Sequence, residues 1–290
     1  MSCITSRIDS VALIGAGTMG REIAWACARS GVDVRLFDVK PDVAADALTT
    51  VSRWLSDDGH PDSIQHLRRF DDLCEALAEV DLAFECVPED LPLKRKVHAQ
   101  ISKVLPESAL QGSNSSVLTP SEIADGLPGG AKFFCMNFTH IRSGERLAEY
   151  MGGPRSDPAI ARIASEWALR IGMTPIVLER EILGYVQNRI WRAIKKEALY
   201  LAASGYASIE DIDRGFVLSW GVSEGPFRIM DKVGLDTVLR IEHEYFRRSG
   251  NDDDRPPAML EDLVAEGKLG VQSGEGFYCY DNDVAPRQAK

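Results

Sequence analysis

Three glycines at fixed spacing carry the clearest chemistry in this sequence. Gly15, Gly17 and Gly20 form G-x-G-x-x-G directly after an apolar run, Val11 to Ile14. In that pattern the first glycine permits a tight turn, the second lets backbone approach a pyrophosphate, and the third lets a helix pack on a strand. Thr18 and Met19 open the helix, whose free N-terminal amides favour phosphate. Asp38 ends the next apolar run, where a carboxylate accepts hydrogen bonds from an adenosine ribose and repels a 2′-phosphate. The pattern implies NAD rather than NADP. Glycine-rich turns also serve plain packing, and Asp38 alone has a bland reading as a solvated turn residue. The order strand, turn, helix, strand, acid is what gives the motif meaning. The six cysteines, Cys3, Cys27, Cys74, Cys86, Cys135 and Cys279, have no C-x-x-C spacing and no accompanying histidine pair, so no metal site is expected. Cys135 alternates with Asn137 on one strand face, which leaves a thiol route to aldehyde oxidation open. Nothing beside it marks an activated thiol, and it reads as core.

The elements that must position these residues are legible as an alternation. After the glycine turn, Ile23 with Cys27 and Ala24 with Ala28 recur at helical spacing, Gly31 stops the helix, and Val32, Val34 and Leu36 share one face of a second strand. Further strands are predicted at 80–87, 109–114, 132–139 and 174–179, with helical patterns between most of them. After Gly184, Val186, Ile190, Ile194, Ala198 and Leu201 form a helical stripe, and no clear strand follows. Ser208 and Asp211 mark a capped helix start, and 251–257 is a charged, proline-bearing break. The fold class is α/β: an NAD-binding Rossmann domain over 1–180, then an all-α substrate and dimerisation domain over 181–290. The polar tail after Tyr280 is expected to fray.

Bulk properties narrow the partners. The chain has 290 residues, 44% hydrophobic, and a net charge of −11. It is long and apolar enough for two cores, and too acidic to collect phosphate backbones or anionic lipid, so neither nucleic acid nor membrane is an expected partner. The first ten residues lack the apolar core of a signal peptide, and no run approaches a membrane span, so a cytoplasmic protein with reduced thiols is expected.

Later segments resemble the 3-hydroxyacyl-CoA dehydrogenase family over nearly the whole chain. FECVPEDLPLKRKVHAQI is similar to the run after the family's fourth strand, which implies that Glu89 and Lys94 lie near the nicotinamide ribose. The bland alternatives are a helix-entry carboxylate and a solvated lysine. SNSSVLTPSEIA resembles the Ser-rich motif, implying Ser116 as the catalytic serine and Asn114 beside the cofactor, although serine-rich turns are also ordinary loop chemistry. Glu149 in RLAEY falls where the family keeps the carboxylate that orients its catalytic histidine. Asn188 in GYVQNRI matches the asparagine that helps hold the substrate carbonyl. GPFRIMDKVGLDTV and SGEGFYCYD resemble the helical domain's remaining signatures, which implies a homodimer through that domain.

One position departs from the pattern. In the ungapped register the family histidine is Asn137, and a histidine follows as His140, so H-x-x-N has become N-x-x-H. Asparagine cannot take a hydroxyl proton as that histidine does, but it can donate to a carbonyl or oxyanion. Either the loop is re-routed so that His140 and Glu149 re-form the base pair, which requires the strand to end or bulge between 137 and 140, or Asn137 is a non-titrating polariser with His140 near the nicotinamide. A histidine merely satisfied by packing is the third possibility. His60, His66, His98 and His243 lie outside every motif and read as ordinary surface or core residues.

Residues 39–79 leave room for one helix and one short strand around 66–70, not for the family's protruding basic hairpin that grips CoA. They hold one lysine, Lys40, and no clamp of arginines. A small carboxylated hydroxy acid or aldehyde is therefore the expected substrate, in a cleft between the domains, with Arg142 and Arg146 as carboxylate binders or simply solvated loop arginines. The rivals are a CoA-thioester dehydrogenase and an NAD-binding protein that has lost catalysis.

Overall fold

The computed structural model describes residues 4–128, 130–139, 141–144 and 146–280. The chain divides into two compact units after Val186.

The first unit is built on β1 (Ser10–Ile14), α1 (Thr18–Arg29), β2 (Asp33–Phe37), α2 (Pro41–Asp57), β3 (Leu67–Arg69), α3 (Leu73–Leu77), β4 (Leu82–Glu85), α4 (Leu91–Ile101), β5 (Leu110–Ser113), α5 (Pro120–Ile123), β6 (Phe133–Phe138), β7 (Leu147–Gly152), α6 (Ala159–Arg170) and β8 (Thr174–Leu178). The strands form one 8-stranded sheet in the order β3-β2-β1-β4-β5-β6-β7-β8. Every neighbouring pair is parallel except β6 with β7, which run antiparallel with Asn137 opposite Glu149. The central strands read as unbroken apolar runs because helices cover both faces, and Val11, Leu13, Leu82, Phe84 and Leu110 are fully buried. The strand order reverses between β1 and β4, which opens a crevice at their carboxyl ends.

The predicted α/β class holds. So does the reading of 39–79: that stretch forms the single long helix α2 and the short strand β3, with a 3-10 turn at Pro61–His66 and the short α3.

The second unit is all helical: α7 (Gln187–Ala203), α8 (Ile209–Trp220), α9 (Pro226–Val233), α10 (Leu235–Ser249) and α11 (Ala258–Ala265). Ser208 caps α8 as expected, its hydroxyl accepting from the Asp211 amide at 3.1 Å. Ala198, Leu199, Phe227, Met230, Leu235, Val238 and Leu260 make its core. Two buried aspartates organise it. Asp213 accepts from the Phe227 and Arg228 amides at the start of α9, and Asp231 accepts from the amides of Phe277 and Tyr278 and the Tyr280 hydroxyl. The segment 277–280 is thereby fastened to α9.

Candidate active site

The strand-to-helix turn after β1 has the geometry its glycines suggested. Gly15 sits at φ +106°, and a Cβ there would meet the Cys86 carbonyl group at 2.8 Å. Gly20 abuts the Gly15 carbonyl oxygen, so any side chain would push α1 off the strand. Around Gly17 nothing lies within 4 Å of a notional Cβ, which leaves the backbone open to a ligand. Asp38, at the end of β2, accepts from the Ala16 amide at 2.9 Å and from the Lys40 amide at 2.9 Å. Those bonds hold its carboxylate beside the glycine turn.

A cleft of about 730 Å³ runs along the carboxyl ends of the strands. Gly15, Gly17, Thr18, Met19 and Asp38 line one part of it, and Asn114, Ser116, Asn137 and Phe138 another. The residues fit a dinucleotide: an open backbone cradle at a helix N-terminus, and a carboxylate one strand away. When bound, NAD supplies the hydride acceptor; the chain supplies binding, orientation and polarisation.

The Asn137–Glu149 pair follows from the antiparallel register. Asn137 Nδ2 donates to Glu149 Oε2 at 3.3 Å, and the Val186 amide donates to Glu149 Oε1 at 2.9 Å. Glu149 is wholly buried and Asn137 is 8% exposed. Tyr185, just before Val186, holds φ +54° inside the core, a left-handed conformation that a non-glycine residue adopts at a cost of about 1–3 kcal/mol. Packing around Leu118, Phe133 and Met151 retains it. Strand β6 ends at Phe138, between positions 137 and 140, as the re-routed reading requires. His140 itself lies outside the described residues.

The serine loop is held from below. Glu89 Oε1 accepts from the Ser115 hydroxyl and from the amides of Val117 at 3.2 Å and Leu118 at 3.3 Å. Its Oε2 lies 3.5 Å from Lys94 Nζ. Lys94 is 1% exposed and donates to Glu85 Oε1 at 2.8 Å, so it belongs beneath the cleft rather than in its lining. Asn114 Oδ1 accepts from the Phe138 amide at 3.3 Å, tying β5 to the end of β6.

Sequence reasoning passed over the buried group that Lys94 joins. Glu85 on β4, Ser113 and Gln111 on β5, and Lys94 and His98 on α4 form one fully enclosed network. Burial alone would push the Glu85 carboxyl up, but the hydrogen bond from His98 and the Lys94 charge hold it below the ordinary value. Burial would likewise lower Lys94, and Glu85 and Glu89 outweigh it, keeping it raised. The available signal was the four-residue spacing of Lys94 and His98, which puts both on one helix face.

Other expected site residues lie elsewhere. Arg142 is folded onto α1 and α2, with its guanidinium on Asp58, and Arg146 is exposed; neither lines the cleft. Asn188 stands in the first turn of α7, in the second unit. Cys135 is fully buried and burial pushes its thiol well above the ordinary value, which fits core rather than nucleophile. Cys86 does line the cleft, but burial raises its thiol too. Among the described residues no cluster of metal-binding side chains occurs.

Comparisons with known proteins identify the family and its NAD-binding fold. Residues 10–182 match the family model described as 3-hydroxyacyl-CoA dehydrogenase, NAD binding domain, and residues 184–280 match its C-terminal domain. A probable 3-hydroxybutyryl-CoA dehydrogenase of Deinococcus radiodurans is 32% identical over 92% of this chain and 99% of its own length. A 5-formyl-3-hydroxy-2-methylpyridine 4-carboxylate 5-dehydrogenase of Mesorhizobium japonicum is 28% identical over 98% of this chain and 93% of its own. The crystal structure of (S)-3-hydroxybutyryl-CoA dehydrogenase from Ralstonia eutropha superposes with a TM-score of 0.88 at 27% identity, covering 95% of this chain and all of that one.

Proposed function

The chain belongs to the 3-hydroxyacyl-CoA dehydrogenase family, NAD-dependent oxidoreductases, and from that premise we propose that its own substrate is a small carboxylated hydroxy acid or aldehyde. The observation that carries this reading is that 39–79 holds one long helix, α2, and besides it only the short α3, where a CoA-gripping hairpin would need two long ones, with Lys40 the one lysine in 39–79. The Mesorhizobium relative, named for an aldehyde-bearing pyridine carboxylate, supports it.

In this reading Gly15, Gly17, Gly20, Thr18 and Met19 cradle the pyrophosphate and Asp38 takes the ribose. Ser116 and Asn137 hold and polarise the substrate oxygen, and Glu149 orients Asn137. Asn114, Glu89 and Lys94 shape the nicotinamide end through the serine loop. His140 supplies the base if it turns back toward Glu149. The protein works as a cytoplasmic homodimer through its helical unit; among the described residues no helix is long and apolar enough to cross a membrane.

A CoA thioester is the second reading, favoured by the Deinococcus relative's name. The deciding experiment follows NADH formation with 3-hydroxybutyryl-CoA, free hydroxy acids and aromatic aldehyde acids, with free CoA as competitor. Turnover of free acids or aldehydes, insensitive to CoA, is expected. Preference for the thioester, with competition by CoA, overturns the small-substrate reading.

A further inference from the structure

The side chain of Arg142 does something other than meet a substrate. Its guanidinium carbon lies 4.8 Å from the ring centroid of Trp25 and 4.5 Å from that of Trp54. Nη1 donates to Asp58 Oδ2 at 2.7 Å, and the Arg142 backbone N–H donates to Glu22 Oε2 at 3.4 Å. Glu22 and Trp25 belong to α1, Trp54 to α2, and Asp58 is the residue that ends α2. The arginine side chain is only 13% exposed, and the weaker solvent screening there strengthens both the ring contacts and the ion pair. One residue thus makes four contacts on two helices.

Those helices begin at the cofactor end of the cleft. α1 opens at Thr18, and Val39, Lys40 and Val43, at the start of α2, line the same cleft. Arg142 itself lies in the segment joining β6 to β7, the strands that set Asn137 opposite Glu149. Sheet hydrogen bonds fix the chain as far as Thr139, whose amide donates to the Leu147 carbonyl at 3.4 Å, three residues before Arg142. Ile141, next to Arg142, is buried in the main core, so the anchor is seated as well as paired.

We infer that Arg142 is a positioning residue: clasped by Trp25, Trp54, Asp58 and Glu22, it fixes the β6–β7 segment, which follows the cleft-lining Asn137 and Phe138, against the two helices that begin at the cofactor. This rests on the dehydrogenase reading of that cleft. Reacting groups tolerate little displacement, and a shift of about 1 Å costs roughly a hundredfold in rate. Lysine keeps the charge for Asp58 but lacks the flat guanidinium that stacks on indole, so it replaces the anchor only in part.

The test uses the full chain with whichever member of the substrate panel turns over, comparing wild type with Arg142→Ala, Arg142→Lys, Trp54→Leu and Asp58→Asn. Arg142→Ala is expected to lose about tenfold to a hundredfold in kcat, with NADH affinity kept, a changed indole fluorescence, and partial recovery on adding millimolar guanidinium. Arg142→Lys falls between the two. Unchanged kcat and KM in Arg142→Ala, with only a lower melting temperature, reduces the residue to packing and overturns the inference. If that variant does not fold, wild-type kcat in both Trp54→Leu and Asp58→Asn overturns it equally. A wild type inactive on every substrate is a failure of the functional reading instead. In that case amide hydrogen exchange over 139–147 decides the anchor: faster exchange in Arg142→Lys and Asp58→Asn upholds it, and unchanged exchange refutes it.

Discussion

At the scale of single residues, the question this chain raises is where a proton goes. Glu149 takes Asn137 Nδ2 on Oε2 and the Val186 amide on Oε1, and so fixes which end of the asparagine amide faces it. The remaining amide hydrogen and Oδ1 of Asn137 are left to orient a substrate oxygen, and neither titrates near neutral pH. Asn137→Ala is therefore expected to lower kcat/KM by about a hundredfold, the scale of one polarising group, while NADH affinity stays. Asn137→His places an imidazole beside a carboxylate already set to orient it, and the pH profile of kcat/KM should gain a limb near ~6.5. A wild-type profile that already has this limb, and loses it in His140→Ala, would assign the base to His140 and leave Asn137 as a neighbour.

At the scale of elements, legibility followed burial chemistry. β1, β4 and β6 were readable because strands covered on both faces become short continuous apolar runs, β2 because Val34 and Leu36 alternate with more exposed residues, and the glycine turn because each glycine answers a separate steric demand. β7 was not recognised as a strand: Glu149 interrupts LAEYMG, and its inward carboxylate makes sense only once Asn137 stands opposite. Arg142 was misplaced for a similar reason, since the spacing of Trp25, Trp54 and Asp58 reveals nothing until α1 and α2 pack. The Glu85–Lys94–His98 group was missed because its members come from two separate elements, β4 and α4. That network makes a stability prediction. Gln111 Nε2 donates to His98 Nδ1 at 2.8 Å, which leaves Nε2–H to face Glu85 Oε2 at 3.3 Å in a neutral ring. Burial pushes the His98 pKa below its ordinary value, against the pull of Glu85. The folded pKa thus lies below the unfolded one, so His98 contributes fully above ~6.5, and that contribution is lost as pH falls from there toward the folded pKa. Urea unfolding between about pH 7 and pH 5 should show stability falling by up to about 1.4 kcal/mol per pH unit from this group. His98→Gln should flatten the slope; an identical slope in the variant would remove His98 as its source.

At the scale of the whole molecule, the helical unit leaves apolar surface that its own core does not use. α8 buries only Asp213, while Leu218 is 77% and Trp220 73% exposed, and Tyr206 and Val222 beside its ends are exposed as well. Ile209 and Ile212 of α8 pack on that core, while Leu218 and Trp220 face outward, and a second copy is the proposed occupant of that outward apolar face. A stable interface buries roughly 1,200–2,000 Å², with aromatic anchors worth about 2 kcal/mol or more each. Each chain carries a net charge of −11, so two copies repel, and association should tighten as salt screens that repulsion. Light scattering is expected to give twice 31.9 kDa, more completely at high salt, with Trp220→Asp shifting the mass toward the single chain. A wild type that scatters as one chain at every salt and protein concentration would leave the α8 face without its second copy, and the apolar surface would need another occupant.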